Sequence, residues 1–319
     1  MKKWLSFAAK AGISVAILAV VFARTDVARI GALLASVGGA TVVGVFALVL
    51  VQAVLTAYRW VLVAEVVGLT LGVWPALQAI LVSLLLNQCL PSFVGADAYR
   101  MYWLYRESNQ LGAAVRSVVI DRVLGMIALI VMFAAGIVLL LRRLHNPAAE
   151  SGLMLLLAGG LVGTIVFFTS DLVPKTWQRL RVIRELAAVS GAARALMLSR
   201  KSGPVVAVVG ILVHVITAVV MFAFARDLGL PLTLLDCLLF MPPIMLVAAV
   251  PISIAGWGVR EGVMVGALSM VGIGPEPALA LSVLVGFTML ANGLLGVLPL
   301  LFGGQRYVAV RPQVAILKT

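Results

Sequence analysis

Residues 90–100 read LPSFVGADAYR and residues 250–260 read VPISIAGWGVR. Both run apolar residue, Pro, four residues, a small residue, three residues and Arg, 160 positions apart (250 minus 90) in a chain of 319. Each closes an apolar segment, 74–90 in the first case and 236–250 in the second. Proline removes a backbone donor and disfavours helix at the residue before it, so both segments are expected to break, at Pro91 and Pro251. Gly95, Gly256 and Gly258 then supply unwound backbone. Such backbone is tolerated at bilayer depth only where it lines a polar cavity.

The rest of the sequence supplies the bilayer. Hydrophobic residues make up 63% and charged residues 11%, against roughly 45–50% and 25% in a soluble domain. Apolar runs near 4–23, 40–64, 117–141, 153–170, 204–225 and 278–302 approach or exceed the roughly 20 residues that carry a helix across hydrocarbon. They are continuous rather than alternating, which favours helices over a β-barrel. The expected fold is therefore all-α and polytopic, a single membrane domain over 1–319 with about six full spans and two broken re-entrant segments. Lys2, Lys3, an apolar stretch and Val21-Phe22-Ala23 have the outline of a signal peptide; in so hydrophobic a chain this segment is expected to stay as a signal anchor.

Charge orients the spans. The segment 171–203 carries Lys175, Arg179, Arg181, Arg184, Arg194, Arg200 and Lys201 against Asp171 and Glu185, which puts it, with the N-terminus, in the cytoplasm. Part of it, 174–201, reads either as an interfacial helix, with Trp177, Leu180, Ile183 and Leu186 among its arginines, or as a solvated loop. Placing Arg100, Arg106 and Arg116 in the cytoplasm requires 74–95 to enter and leave on one side, and a cytoplasmic C-terminus requires 236–273 to be re-entrant from outside. Arg142 and Arg143 then face outward, against the rule. The 160-residue offset also carries 40–64 onto 200–224 and 117–141 onto 277–301, so 40–141 and 200–302 read as two halves of an inverted-topology repeat. The net charge of +12 is spread between apolar runs, pointing to topology and anionic lipid rather than nucleic acid. The isolated Cys89 and Cys237 carry no metal or redox spacing.

Ionisable groups at depth require a reason. Three acid and base groups stand out: Asp97 and Arg100 after the first break, Asp121 and Arg122 at the start of a span, and Arg260 and Glu261 after the second break. Arg100, Arg122 and Arg260 suit a phosphate; Asp97, Asp121 and Glu261 suit a cationic or hydroxylated part of the same head group. Asn87 and Gln88 read as cavity-facing or helix-packing, Asn292 as helix-packing beside Gly293 and Gly296, His214 as a packed histidine, and Tyr58-Arg59-Trp60 as an interfacial anchor. No P-loop, G-x-S-x-G, H-E-x-x-H or Cys/His cluster occurs. The expectation is therefore no enzyme, no cofactor and no metal, with transport driven by a gradient or running downhill.

Together, Asn87-Gln88-Cys89-Leu90-Pro91, Gly95-Ala96-Asp97-Ala98-Tyr99-Arg100, Asp121-Arg122-Val123-Leu124-Gly125 and Gly256-Trp257-Gly258-Val259-Arg260-Glu261-Gly262 resemble the lysylphosphatidylglycerol synthase transmembrane-region family, also called flippase-like. The resemblance covers nearly the whole chain and implies lipid translocation in the bacterial inner membrane. Relatives that also make aminoacylated phosphatidylglycerol do so with a separate soluble domain; the chain here ends at Thr319 without one, so a stand-alone member is expected. Gly95-Ala96-Asp97 stands where many relatives have Gly-Gly-Asp, and Asp121-Arg122 where Glu-Arg is common. The resemblance leaves the cargo open among phospholipids and polyprenyl or hopanoid lipids. The competing reading is an accessory subunit of a lipid-modifying or polyprenyl-lipid glycosyltransferase pathway, partnered by such an enzyme.

Overall fold

The computed structural model describes residues 27–89, 93–144, 146–174, 176, 179–250 and 257–302, with no strand among them. The expected span 4–23 and the break residues Pro91, Pro251 and Gly256 lie outside the described residues. The helices are α1 (Val27–Ala35), α2 (Gly39–Val66), α3 (Val73–Cys89), α4 (Phe93–Ser108), α5 (Leu111–Arg143), α6 (Pro147–Thr169), α7 (Arg181–Leu198), α8 (Ser202–Asp227), α9 (Leu234–Ala248), α10 (Val259–Ser269), α11 (Pro275–Leu294) and α12 (Val297–Phe302), with a 3₁₀ turn at Ser170–Leu172. Among the described residues five stretches are long and apolar enough to cross a bilayer, namely Gly39–Val66, Leu111–Arg143, Pro147–Leu172, Ser202–Asp227 and Pro275–Leu301. They coincide with five of the expected spans. The chain is an all-α, multi-pass membrane protein; α6, with Leu155, Val162, Ile165 and Val166 exposed, turns most of its apolar surface outward, toward lipid.

Local chemistry sets the helix ends. Asn146 caps α6 by accepting from the N–H groups of Ala148 and Ala149, with Pro147 in the first helical position. Thr233 and Asp236 cap α9 reciprocally. Helices α2 and α8 stop alike: Gly68 and Gly229 adopt positive φ, and the next residues, Leu69 and Leu230, donate back to Ala64 and Ala225.

The 160-residue offset recurs in the helix bounds. It carries α2 onto α8, α3 onto α9, the C-terminal part of α4 onto α10, and α5 onto α11 and α12. The packing exchanges in the same sense, with α3 against α11 and α9 against α5, while α2 and α8 pack on each other. These two run antiparallel, since the N–H of Gly38 at the start of α2 donates to Asp227 at the end of α8 (2.8 Å), and at mid-length the Gln52 amide donates to the Val213 carbonyl (3.0 Å) and to Thr217 (2.9 Å). Gly136 and Gly296, themselves 160 apart (296 minus 136), stand at the two exchanged contacts. A Cβ at Gly136 would crowd Leu239 of α9, and one at Gly296 would overlap the Leu81 carbonyl of α3. Gly293 likewise lies against the backbone of Leu84 and Leu85, the close approach its sequence neighbourhood leads one to expect.

Basic residues gather at one end of the bundle. There Ala193 and Leu196 of α7 pack with Val63, Ile120, Leu124 and Val206, while Arg181, Arg184, Arg200 and Lys201 stay exposed. The stretch 174–201 is thus largely a helix docked on the bundle through Ala187, Val189, Ala193 and Leu196; Leu180 and Leu186 remain exposed and Ile183 half-buried. At the opposite end Arg143 meets Asp236 of α9 at 3.5 Å.

Candidate functional site

Broken helix pairs build the site. Helix α3 ends at Cys89 and α4 resumes at Phe93. Gly95, expected in unwound backbone, lies instead in the first turn of α4, where N–H groups lack intrahelical acceptors in any case and a glycine costs little. Gly258 does mark a break: its φ of 87°, a region closed to most side chains, precedes α10, and its N–H donates to Glu261 Oε2 at 2.6 Å.

Around the first pair lies a cavity of about 260 Å³. Asp97 and Arg100 reach it from α4, Asp121 and Arg122 from α5, Asn87 and Gln88 from α3, and Arg59 from α2. Thr217 of α8 and Thr288, Met289 and Asn292 of α11 close the far wall. Asp121 is ten residues into α5, about 15 Å from its start, and four residues into the apolar run 117–141.

Asp121 is the hub. Its Oδ1 accepts from Arg59 Nε and its Oδ2 from Arg100 Nη2, both at 2.8 Å. Asp97 Oδ2 accepts from Arg122 Nε at 2.7 Å, while Arg100 Nη1 is 3.8 Å from Asp97 Oδ1. The Arg100 guanidinium lies 4.2 Å over the Trp60 ring. Tyr58-Arg59-Trp60 is consequently no interfacial anchor: Arg59 is 6% exposed, Trp60 fully buried, and only Tyr58 faces outward. The reason is Asp121, whose buried charge requires cationic partners. Sequence reading missed Arg59 as a cavity residue, although a lone arginine within an apolar run was the available signal.

Three guanidinium groups therefore face two carboxylates, leaving one positive charge in surplus. Several polar atoms also lack hydrogen-bond partners among the described residues: the buried donors Arg59 Nη1 and Arg100 Nε, and the buried acceptors Oδ1 of Asn87, Asp97 and Asn292, of which Asp97 Oδ1 has only the longer contact to Arg100. The other amide end of Asn292 donates to the Val49 carbonyl at 3.3 Å. These buried orphans of both kinds, all on residues that line one cavity, cost free energy unless a guest or a small rearrangement satisfies them.

Arg260 and Glu261 do not line this cavity. They form a pair behind it, 2% and 0% exposed, in which Arg260 donates from Nε and Nη2 to Glu261 Oε1 (3.1 and 2.5 Å) and stacks 4.7 Å over Trp257. Ser282 donates to the same carboxylate oxygen at 3.3 Å. Arg260 Nη1 reaches the thioether of Met289 at 3.6 Å. Gly286 makes room, since a Cβ there would overlap both Arg260 and Trp257. His214 Nε2 meets the Gly125 carbonyl at 3.0 Å and ties α8 to α5, as a packed histidine does.

Beyond the charged groups, a second cavity of about 590 Å³ is almost wholly apolar, with Leu140 of α5 and Leu144 just after it, Leu153 and Leu156 of α6, and the α9 face of Phe240, Pro243, Ile244 and Val247.

No curated protein and no solved structure matches the chain. The family model described as the lysylphosphatidylglycerol synthase TM region matches residues 7–296, so the arrangement of broken helices and buried charge belongs to a member of that family.

Proposed function

We propose that the protein moves an anionic or zwitterionic lipid between leaflets without covalent chemistry, its head group passing through the polar cavity. The single observation that carries this reading is the surplus guanidinium charge around that cavity, beside buried donors and acceptors without hydrogen-bond partners among the described residues. A phosphate satisfies Arg59 Nη1 and Arg100 Nε; a hydroxyl or ammonium on the same head group satisfies Asn87, Asp97 and Asn292. Asp121 holds Arg59 and Arg100 in place and is a positioning residue here, whereas Arg122 and Asp97 guard the mouth, Arg122 being 44% exposed. Arg260 and Glu261 belong to the same pathway at a deeper position.

The matched helix bounds, exchanged packing and antiparallel α2 and α8 support two inverted halves, 40–141 and 200–302, with the pairs α3/α4 and α9/α10 re-entrant. In this arrangement the basic end of the bundle, with α7, faces the cytoplasm of a bacterium whose inner membrane holds the protein. Arg143 beside Asp236 eases the placing of Arg142 and Arg143 on the outer side, because the pair offsets one of their two charges.

Head-labelled phosphatidylglycerol in liposomes carrying the purified protein tests the reading. Label should become accessible to an impermeant quencher with the parent protein, and the Arg100→Ala/Arg260→Ala double variant should abolish that movement while still inserting. Undiminished movement by the double variant would sink the site. A second reading, an accessory subunit, is favoured by the exposed Val182 and Leu186 among the arginines of α7; it predicts co-purification of a lipid-modifying enzyme whose activity collapses without this chain.

A further inference from the structure

The geometry points to Arg260 as a second head-group station, shut off from the polar cavity by the side chain of Met289. The inference rests on the lipid-translocation reading and adds a route: the anionic group leaves Arg59 and Arg100, displaces Met289, and is received by Arg260.

Four observations carry it. Met289 has two faces, lining the polar cavity with one and meeting Arg260 Nη1 through its sulfur with the other. A thioether is a weak acceptor, so this guanidinium nitrogen, in a residue 2% exposed, has no strong partner among the described residues. The remaining Arg260 donors are spent on one oxygen of Glu261, whose other oxygen is engaged by the Gly258 N–H. Glu261 is thereby anchored and neutralises the arginine without saturating it. Finally, Trp257, on which Arg260 lies, donates from Nε1 to Gln88 Oε1 at 3.4 Å, and Gln88 lines the polar cavity. The two breaks touch at this contact.

Methionine suits a shutter. Its unbranched side chain has three rotatable bonds and no strongly preferred single packing, so it vacates and refills a passage at little cost. Gly286, one turn earlier on α11, lets Arg260 and Trp257 pack against its backbone beside Met289, where any larger residue would displace them. Arg260 also lies 160 positions from Arg100 (260 minus 100), so the two stations occupy corresponding points in the two halves. A head group moving from one to the other crosses between the halves rather than along one of them.

The test uses full-length protein in liposomes, with Cys89 and Cys237 replaced by Ser and with Ser282→Cys or Thr56→Cys introduced singly. Ser282 is fully buried beside Glu261, and Thr56 lines the polar cavity. Met289→Ala should raise labelling of the cysteine at 282 by an impermeant thiol reagent about tenfold or more, an amount that one pKa-sized change in opening free energy would give. Met289→Trp should leave that cysteine unlabelled and slow movement of head-labelled phosphatidylglycerol by a similar factor, while the cysteine at 56 still labels and reports an intact cavity. Parent-like lipid movement by Met289→Trp, or an unreactive cysteine at 282 in Met289→Ala, overturns the route and leaves translocation standing. Absence of lipid movement in the parent protein overturns translocation, and the route with it.

Discussion

Arg100 and Arg260 end the same repeated stretch yet meet opposite environments. Arg100 borrows its carboxylate from another helix, Asp121 of α5, and shares it with Arg59. Arg260 takes its carboxylate from the next residue in the chain. A pair made across helices ties α2, α4 and α5 into one charged wall, with surplus charge facing a cavity. A pair made within one helix closes on itself. The contrast extends to the short helices: Ile80, Ser83, Leu84 and Asn87 of α3 line the polar cavity, and the residues 160 further on, Phe240, Pro243, Ile244 and Val247 of α9, line the apolar one. Helices at positions 160 apart give a wet face and a dry face because Ser83 and Asn87 on the first stand where Pro243 and Val247 stand on the second.

The comparison can be broken most forcefully at the hub. Asp121→Ala leaves two buried guanidinium groups facing each other and should cost about 3–5 kcal/mol, read as a lowered unfolding temperature in detergent and loss of lipid movement. Glu261→Ala strands one arginine and one N–H group, and should cost less, about 3 kcal/mol, by the same measurement. Equal or reversed effects would mean that the first half is no more tightly networked than the second. Gly286→Ala forces Arg260 and Trp257 to shift, and about 1–3 kcal/mol of destabilisation is expected, whereas Gly31→Ala, with open space around it in mid-helix, should raise the unfolding temperature slightly, by about 0.5–1 kcal/mol of helix stability. Smallest is Trp257→Phe, which keeps the ring under Arg260 and removes only the long contact to Gln88. A loss of about 1 kcal/mol or less is expected, and a larger one would show that the contact between the breaks holds the halves together.

Much of this arrangement is legible in the sequence because it is written in period and punctuation. Continuous apolar runs give five spans to within a few residues at most ends, and the repeated Pro-to-Arg stretches mark where the short helices α3 and α9 stop. Asp97, Arg100, Asp121 and Arg122 are findable because charge inside an apolar run needs a partner. Partner identity is another matter. Nothing local tells Asp121 to choose Arg59, 62 positions away, over its neighbour Arg122, which turns instead to Asp97; helix direction and phase decide that, and they follow only once α2, α4 and α5 are packed. For the same reason Tyr58-Arg59-Trp60 reads as a membrane-edge anchor until Trp60 is seen buried beneath Arg100. The segment 174–201 hides its docked face because Ala187 and Ala193 are too small to stand out beside Leu180 and Leu186. Gly95 misleads, since the helix restarts before it.

The central claim, that the polar cavity around Asp121 receives the lipid head group, is tested most directly by photo-crosslinking. A phospholipid bearing a photoreactive group on its head is activated in proteoliposomes, and the modified residues are mapped by mass spectrometry. The account predicts adducts on cavity residues such as Thr56, Asn87, Thr288 and Asn292, suppressed in Arg100→Ala, with the apolar face of Phe240 and Val247 unmarked. Adducts confined to the lipid-facing side chains of α6, such as Leu155 and Ile165, and unchanged by Arg100→Ala, would contradict it.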